Sequence, residues 1–100
     1  MKYFLDTHDR KAGSFPTEEF GSQQFLDVYN KFDKHCEEEG ITLIQAHVNL
    51  KEGKAFCITK APSREAIKRA HEKINLPYTS LVEINTITAG NFFGKKEEKG

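Results

Sequence analysis

A β-hairpin within residues 41–59 is the strongest constraint on how this chain of 100 residues can fold. The run from Ile41 to Leu50 is rich in β-branched and aliphatic residues, which favour a pleated strand. After the short segment Lys51–Gly53, a second strand-like run extends from Lys54 to Thr59. A three-residue loop ending in glycine predicts a type I turn closed by a left-handed bulge at Gly53.

The length of this loop determines the register of the hairpin. With three loop residues, Leu50 pairs with Lys54, and His47 then lies opposite Cys57. Because side chains alternate along a strand, His47 and Cys57 share one face, with Cβ atoms ~5 Å apart. A two-residue turn would instead pair His47 with Ile58. In the three-residue register the opposite face, predicted to form the core, carries Ala46, Val48, Phe56 and Ile58.

Two helical segments flank the hairpin, and each has an apolar stripe at spacings of three and four residues. Ser22 is the predicted N-cap of the first helix, which runs to about Glu39 and ends at Gly40. Pro62 and Ser63 begin the second helix. The predicted stripes are Phe25, Val28, Tyr29, Phe32 and Cys36 in the first helix, and Ala66, Ile67, Ala70 and Ile74 in the second.

With strands at Tyr3–His8 and Leu81–Thr88, the element order is β-α-β-β-α-β. This order predicts an α+β, ferredoxin-like sandwich, with two helices on one face of a four-stranded antiparallel sheet ordered 4-1-3-2. Residues 1–93 form one predicted domain, and residues 94–100 a charged flexible tail. The strand order places the first strand beside Cys57.

The predicted helix-free face of the sheet carries both an apolar patch and the candidate site. Phe4, Ile41 and Leu43 form a patch large enough to mark an interface, so a homodimer through this face is expected. The candidate metal ligands on the same face are Asp6, His8, His47 and Cys57.

Imidazole and thiolate side chains together suit nickel, zinc or copper(I). The leading hypothesis is therefore a dimeric metal-binding protein holding nickel or zinc. A structural alternative is that Cys57 is a small buried residue and His47 an interface residue. A third interpretation is a plain interaction module. Of the remaining histidines, His35 lies beside the apolar stripe of the first helix and is not assigned as a metal ligand, and His71 is assigned to packing or capping of the second helix.

Composition excludes several other classes. The 15 basic and 15 acidic residues balance, which argues against nucleic acid. No apolar run approaches a membrane span, and no signal peptide is evident. Two unpaired cysteines suit a reducing cytoplasm. No catalytic motif is present, so enzymatic activity is not favoured. A small-molecule-binding protein or enzyme using Asp6, His8 and His47 as acid/base groups remains the alternative.

Several phrases of the sequence resemble a known family. They are Lys2–Asp9, Ala46–Leu50, Gly53–Cys57, Ala61–Ser63, Arg69–Glu72 with Leu76–Pro77, and Glu83–Thr86. The chain resembles a group of small bacterial proteins of unknown function, relatives of which are described as nickel-binding. This resemblance covers roughly residues 2–93. It implies a ferredoxin-like domain that dimerises into an α/β barrel.

Overall fold

The described part of the chain contains a four-stranded sheet, two α-helices and a second, two-stranded sheet. The structure, a computed structural model, describes residues 1–17, 21–88 and 91–93. A 3₁₀ turn at Arg10–Ala12 follows the first strand. The elements are β1 Lys2–Asp9, α1 Ser22–Glu38, β2 Thr42–Asn49, β3 Lys54–Ala61, α2 Arg64–Lys73, β4 Ser80–Ile84, β5 Thr86–Thr88 and β6 Asn91–Phe93.

The four long strands form one antiparallel sheet in the order β2-β3-β1-β4, as the sequence predicted. Both α-helices pack on one side of it and enclose the hydrophobic core. This arrangement is consistent with a ferredoxin-like fold. The core contains Phe4, Phe32, Cys36, Ile41, Ala61, Ala66, Ile67, Ala70 and Leu81.

The ends of the helices follow local capping rules, with two corrections. Ser22 is the first helical residue rather than the N-cap, which is Gly21. The Gln24 side chain reaches back and accepts a hydrogen bond from the Gly21 amide at 2.6 Å. Gly40, with φ of 74°, takes the predicted left-handed conformation after α1. The second helix, α2, begins at Arg64 rather than at the predicted Pro62–Ser63, and Ser63 is its N-cap. The Ser63 hydroxyl accepts from the Ala66 amide at 3.2 Å.

The predicted register of the hairpin is wrong by one residue. Asn49, not Leu50, pairs with Lys54, so the loop has four residues. The Asn49 carbonyl accepts from the Gly53 amide at 2.9 Å, which closes the longer loop. His47 therefore pairs with Phe56, and Cys57 pairs with Ala46. A one-residue shift moves every side chain of one strand to the other face relative to its partner.

The predicted assignment of the two sheet faces is inverted for β1 and β3, whereas Ala46 and Val48 of β2, which pair with Cys57 and Ala55, lie on the covered side as predicted. Cys57 lies under the helices and is buried, whereas Phe56 points to the other face and is 40% exposed. Phe4, Asp6 and His8 are also buried beneath the helices, not on the helix-free face. Alternation showed which residues share a face but not which face the helices cover. The small residues of β3 lie on the covered side: Ala55, Cys57, Thr59 and Ala61.

The last predicted strand is interrupted. β4 ends at Ile84, and β5 pairs with β6 in a separate two-stranded sheet. The sequence analysis did not predict β6. Residues 94–100, the predicted tail, lie outside the described residues. In the part of the chain that is described, no helix is long and apolar enough to cross a membrane.

Candidate metal centre

Three side chains with metal-binding atoms meet beneath the helices. Asp6 on β1 pairs directly with Cys57 on β3, and His8 follows two residues later on the same face of β1. Their ligand atoms, a carboxylate oxygen, an imidazole nitrogen and a thiol sulfur, all lie within 4.8 Å of one another. All three residues are buried, Asp6 completely. The sequence placed these three residues together correctly but put them on the wrong face of the sheet.

The imidazole of His8 is held at both nitrogens. Nδ1 donates to the Pro77 carbonyl at 2.8 Å, and Nε2 bonds Asp6 Oδ1 at 2.9 Å. A carbonyl and an ionised carboxylate can only accept hydrogen bonds, so both ring nitrogens carry protons in this arrangement. We therefore assign His8 and Asp6 as a buried ion pair.

A second histidine, His71 of α2, approaches the same carboxylate. Its Nδ1 donates to the Ile67 carbonyl one turn earlier at 2.9 Å. Its Nε2 lies 3.7 Å from Asp6 Oδ2. Among the described residues, three buried side-chain polar atoms have no hydrogen-bond partner, and these are two of them. Buried polar atoms are normally paired, so this gap between two of them calls for an explanation.

Aromatic contacts fix the position of the His71 ring. Its centroid lies 4.5 Å from that of Phe32 and 4.8 Å from that of Tyr78. The His8 ring stacks on it at 5.8 Å. His71 was assigned to packing, and it does pack. It also completes a four-residue cluster that the sequence analysis missed.

The signal for His71 was present in the spacing of α2. Positions 67, 70, 71 and 74 recur at three- and four-residue steps, which places His71 on the buried stripe with Ile67 and Ala70. Which strand residues it would meet depended on the covered face of the sheet. Because the covered face was predicted incorrectly, the sequence analysis placed Asp6 on the side of the sheet away from His71.

Burial and neighbouring charges set the protonation of the cluster. Burial alone raises the pKa of the Asp6 carboxyl, but the imidazoles of His71 and His8 outweigh burial, and the net pKa is lowered. The pKa of the Cys57 thiol is raised, first by burial and then by the Asp6 carboxylate. At neutral pH without a metal, the cluster therefore holds an ionised Asp6 and a protonated Cys57.

His47 does not belong to this site. It lies on the helix-free face, is exposed, and stacks on Phe56 with ring centroids 4.8 Å apart. The predicted pair of His47 with Cys57 is wrong because the four-residue loop shifts the hairpin register. The alternative acid/base group of Asp6, His8 and His47 is not assembled for the same reason. His35, assigned to structure, bonds Glu38 at 3.0 Å on the exposed side of α1.

Together, the fold and the cluster define a small ferredoxin-like α+β protein with a candidate transition-metal centre of Asp, His and Cys. The sequence matches the family described as "Nickel responsive protein SCO4226-like" over residues 4–84. Since this match covers most of the chain, the protein belongs to the SCO4226-like family, which confirms the resemblance seen in the sequence.

A solved structure supports the fold. The crystal structure of SCO4226 from Streptomyces coelicolor A3(2) superimposes with a TM-score of 0.70 and 22% sequence identity. The similarity covers 86% of this chain and 98% of that chain. At this identity it shows the shared fold alone. No protein with a curated function matches the sequence.

Proposed function

We propose that this protein binds one nickel or zinc ion per chain at Asp6, His8 and Cys57. The observation that carries the proposal is the buried cluster whose three ligand atoms lie within 4.8 Å of one another. Carboxylate, imidazole and thiolate form a mixed ligand set suited to late first-row ions. The name of the family favours nickel.

Two atoms at the cluster without a hydrogen-bond partner, Asp6 Oδ2 and His71 Nε2, indicate whether a cation fits there. Because Nδ1 of His71 donates to Ile67, Nε2 is the ring atom that faces Asp6 Oδ2, 3.7 Å away, with no hydrogen bond between them. Two buried polar atoms without a partner would both be satisfied by a cation placed between them. The residues therefore fit a metal ion, with His71 as the fourth ligand.

The charge of the cluster also fits a divalent ion. Without metal, the Asp6 carboxylate and the His8 imidazolium balance, and Cys57 is a neutral thiol. With a divalent ion, carboxylate and thiolate supply two negative charges against two positive ones. Exchange of two protons for one ion therefore leaves the buried site neutral, which avoids the cost of an unpaired charge in the interior.

Backbone carbonyls orient both imidazoles toward the cluster. Pro77 holds Nδ1 of His8, which leaves Nε2 as the ligand atom once its proton is lost. Ile67 does the same for His71. Such contacts fix the ring and tautomer of a metal-ligating histidine. They support a site whose ligands are already positioned before metal arrives.

Metal content of purified protein tests this function directly. We expect about one nickel or zinc ion per chain in protein loaded without a histidine tag. Cys57→Ser and His8→Ala should each weaken binding by about 100-fold or more, because loss of a ligand costs at least as much as loss of a supporting contact.

His47→Ala and Cys36→Ser are the matched controls, since they replace the same residue types outside the cluster. Cys36 is buried in the core, where its pKa is raised to about 12, chiefly by burial. Both controls should retain wild-type affinity. Equal affinity in wild type and in a Cys57→Ser/His8→Ala double variant would contradict the proposed site.

We further propose that the protein is a homodimer joined through the helix-free face of the sheet. Of the residues first expected there, Phe4 and Ile41 are in the core instead, and Leu43 packs against it. A different apolar row takes their place: Ile58, Leu5 and Val82 are neighbours across three strands, and Phe56 lies beside them. Phe56 and Val82 are 40% and 45% exposed, so a partner sheet would bury a sizeable apolar area.

Light scattering on two charge variants tests the dimer. Val82→Glu places a carboxylate in the apolar row and should give monomers. Val48→Glu is the control, because Val48 is 41% exposed but shares the opposite face with Ala55. It should leave the dimer intact. A wild-type protein that is monomeric at about 100 μM would refute this proposal, because specific dimers typically hold at micromolar concentration.

A further inference from the structure

An apolar cavity of about 510 Å³ opens between α1 and the sheet. Its volume falls within the range of about 300–1,000 Å³ typical of small-molecule sites. His8 and Cys57 form part of its wall, so the cavity adjoins the candidate metal centre without including Asp6. Most of its wall is aromatic or aliphatic, with Phe15, Phe25, Val28, Tyr29, Phe32 and Leu76 as the main contributors.

The polar groups of the cavity indicate what kind of molecule it would take. Lys31, exposed on α1, lies at the cavity, and the described lining residues include no carboxylate. Half-buried Tyr29 forms part of the wall, and its hydroxyl has no hydrogen-bond partner among the described residues. An ammonium and a phenol can both donate hydrogen bonds to a carboxylate. Charge complementarity therefore favours an anionic head group on an apolar body.

We propose that this cavity binds a small carboxylic acid with an aromatic or short aliphatic body. The body packs against the aromatic wall formed by Phe25, Phe32 and Phe15. The carboxylate lies toward Lys31, the exposed cation at the cavity. A ligand of this class buries apolar surface while keeping its charge near solvent, which avoids the cost of a buried unpaired charge. Binding requires no metal.

Titration of the full-length, metal-free protein with three probes tests this site. The probes are phenylacetate, hexanoate and the neutral analogue phenylacetamide, followed by amide chemical shifts in the presence of a chelator. We expect saturable binding of both acids, with dissociation constants on the order of 1 mM or tighter. Shifts should centre on Val28, Phe32 and Leu76. Phenylacetamide should bind more weakly than phenylacetate.

Two variants separate the apolar and the charged parts of the proposal. Val28→Trp fills the cavity and should weaken both phenyl probes by about 10-fold or more. Lys31→Gln is a surface change that leaves the fold intact. It should lower the affinity for phenylacetate by up to about 5-fold, the range for an exposed ion pair, and leave the affinity for phenylacetamide unchanged. Val48→Trp, an equally bulky change outside the cavity, is the control.

Several results would overturn the inference. One is the absence of saturable shifts with either acid. Another is a set of shifts centred on the helix-free residues Phe56 and Val82. Equal affinity for phenylacetate and phenylacetamide, unaffected by Lys31→Gln, would refute the assignment of a carboxylate ligand. Because the chelator removes metal, none of these outcomes depends on the proposed metal site.

Discussion

Affinity for nickel or zinc is expected to fall as pH is lowered, by up to about 100-fold per unit, since two protons compete for ligand atoms. One proton is on the Cys57 thiol, whose pKa burial and the Asp6 carboxylate raise. The other is on Nε2 of His8, where the bond to Asp6 places it. Asp6 contributes no proton, because its pKa is lowered.

The direction of this dependence follows from which form binds metal. Thiolate and neutral imidazole are the ligands, so a rise in pH favours binding and a fall opposes it. Since the thiol pKa is raised, the Cys57 proton must be displaced throughout the neutral range. A surface site of histidines alone would lose its dependence on pH once the imidazoles are deprotonated.

Calorimetry in buffers with different ionisation enthalpies measures the number of protons released. We expect about two per metal ion in wild type and about one in Cys57→Ser, measured at concentrations that compensate for weaker binding. His47→Ala should still release about two. A wild-type count near zero would contradict the assignment of Cys57 and His8 as ligands.

Local sequence patterns predicted the main elements and the strand order well. The stripe of α1 and the glycine after it depend on neighbours within one or two turns, so short-range rules place them. Given those elements, the β-α-β-β-α-β order leaves few topologies. The neighbourhood of Asp6 and Cys57 follows from the strand order, and the structure confirms it.

The hairpin register could not be predicted because a distant residue stabilises the loop. The Arg10 amide donates to the Gly53 carbonyl at 2.8 Å, and its guanidinium bonds the carbonyls of Leu50 and Lys51 at 3.2 Å and 3.4 Å. Arg10 also lies so close to Gly53 that a Cβ there would meet its side chain at 2.7 Å. Turn rules for the loop alone contain none of these contacts.

The full set of site residues could not be predicted because both faces of β3 are apolar. Phe56 and Ile58 on one face are as hydrophobic as Ala55 and Cys57 on the other, so alternation does not tell which face the helices cover. The polar residues of β1 were assumed to face away from the helices. They are instead buried beneath them as a paired cluster, which short-range patterns do not distinguish from a surface strand end.

The substitution Asp6→Asn is expected to destabilise the metal-free protein by about 3 kcal/mol at neutral pH. The amide keeps the shape of the side chain but removes the charge that pairs with His8, and breaking a buried ion pair costs about 3–5 kcal/mol. His71 also loses its charged neighbour. Asp27→Asn is the control. Asp27 is exposed on α1 and accepts a hydrogen bond from the Gln23 side chain. Asp27→Asn should change the free energy of unfolding by no more than about 0.5 kcal/mol.

The destabilisation should depend on pH in a defined direction. The pKa of Asp6 is lower in the folded than in the unfolded state, so its charge stabilises the fold above the unfolded pKa of about 4. This stabilisation is lost as pH falls below about 4 and through the folded pKa. Urea unfolding with a chelator present, from about pH 7 to about pH 3, measures this dependence. The free energies of unfolding of wild type and Asp6→Asn should converge at the acid end of the range. A difference that stays constant over this range would contradict the buried Asp6–His8 ion pair.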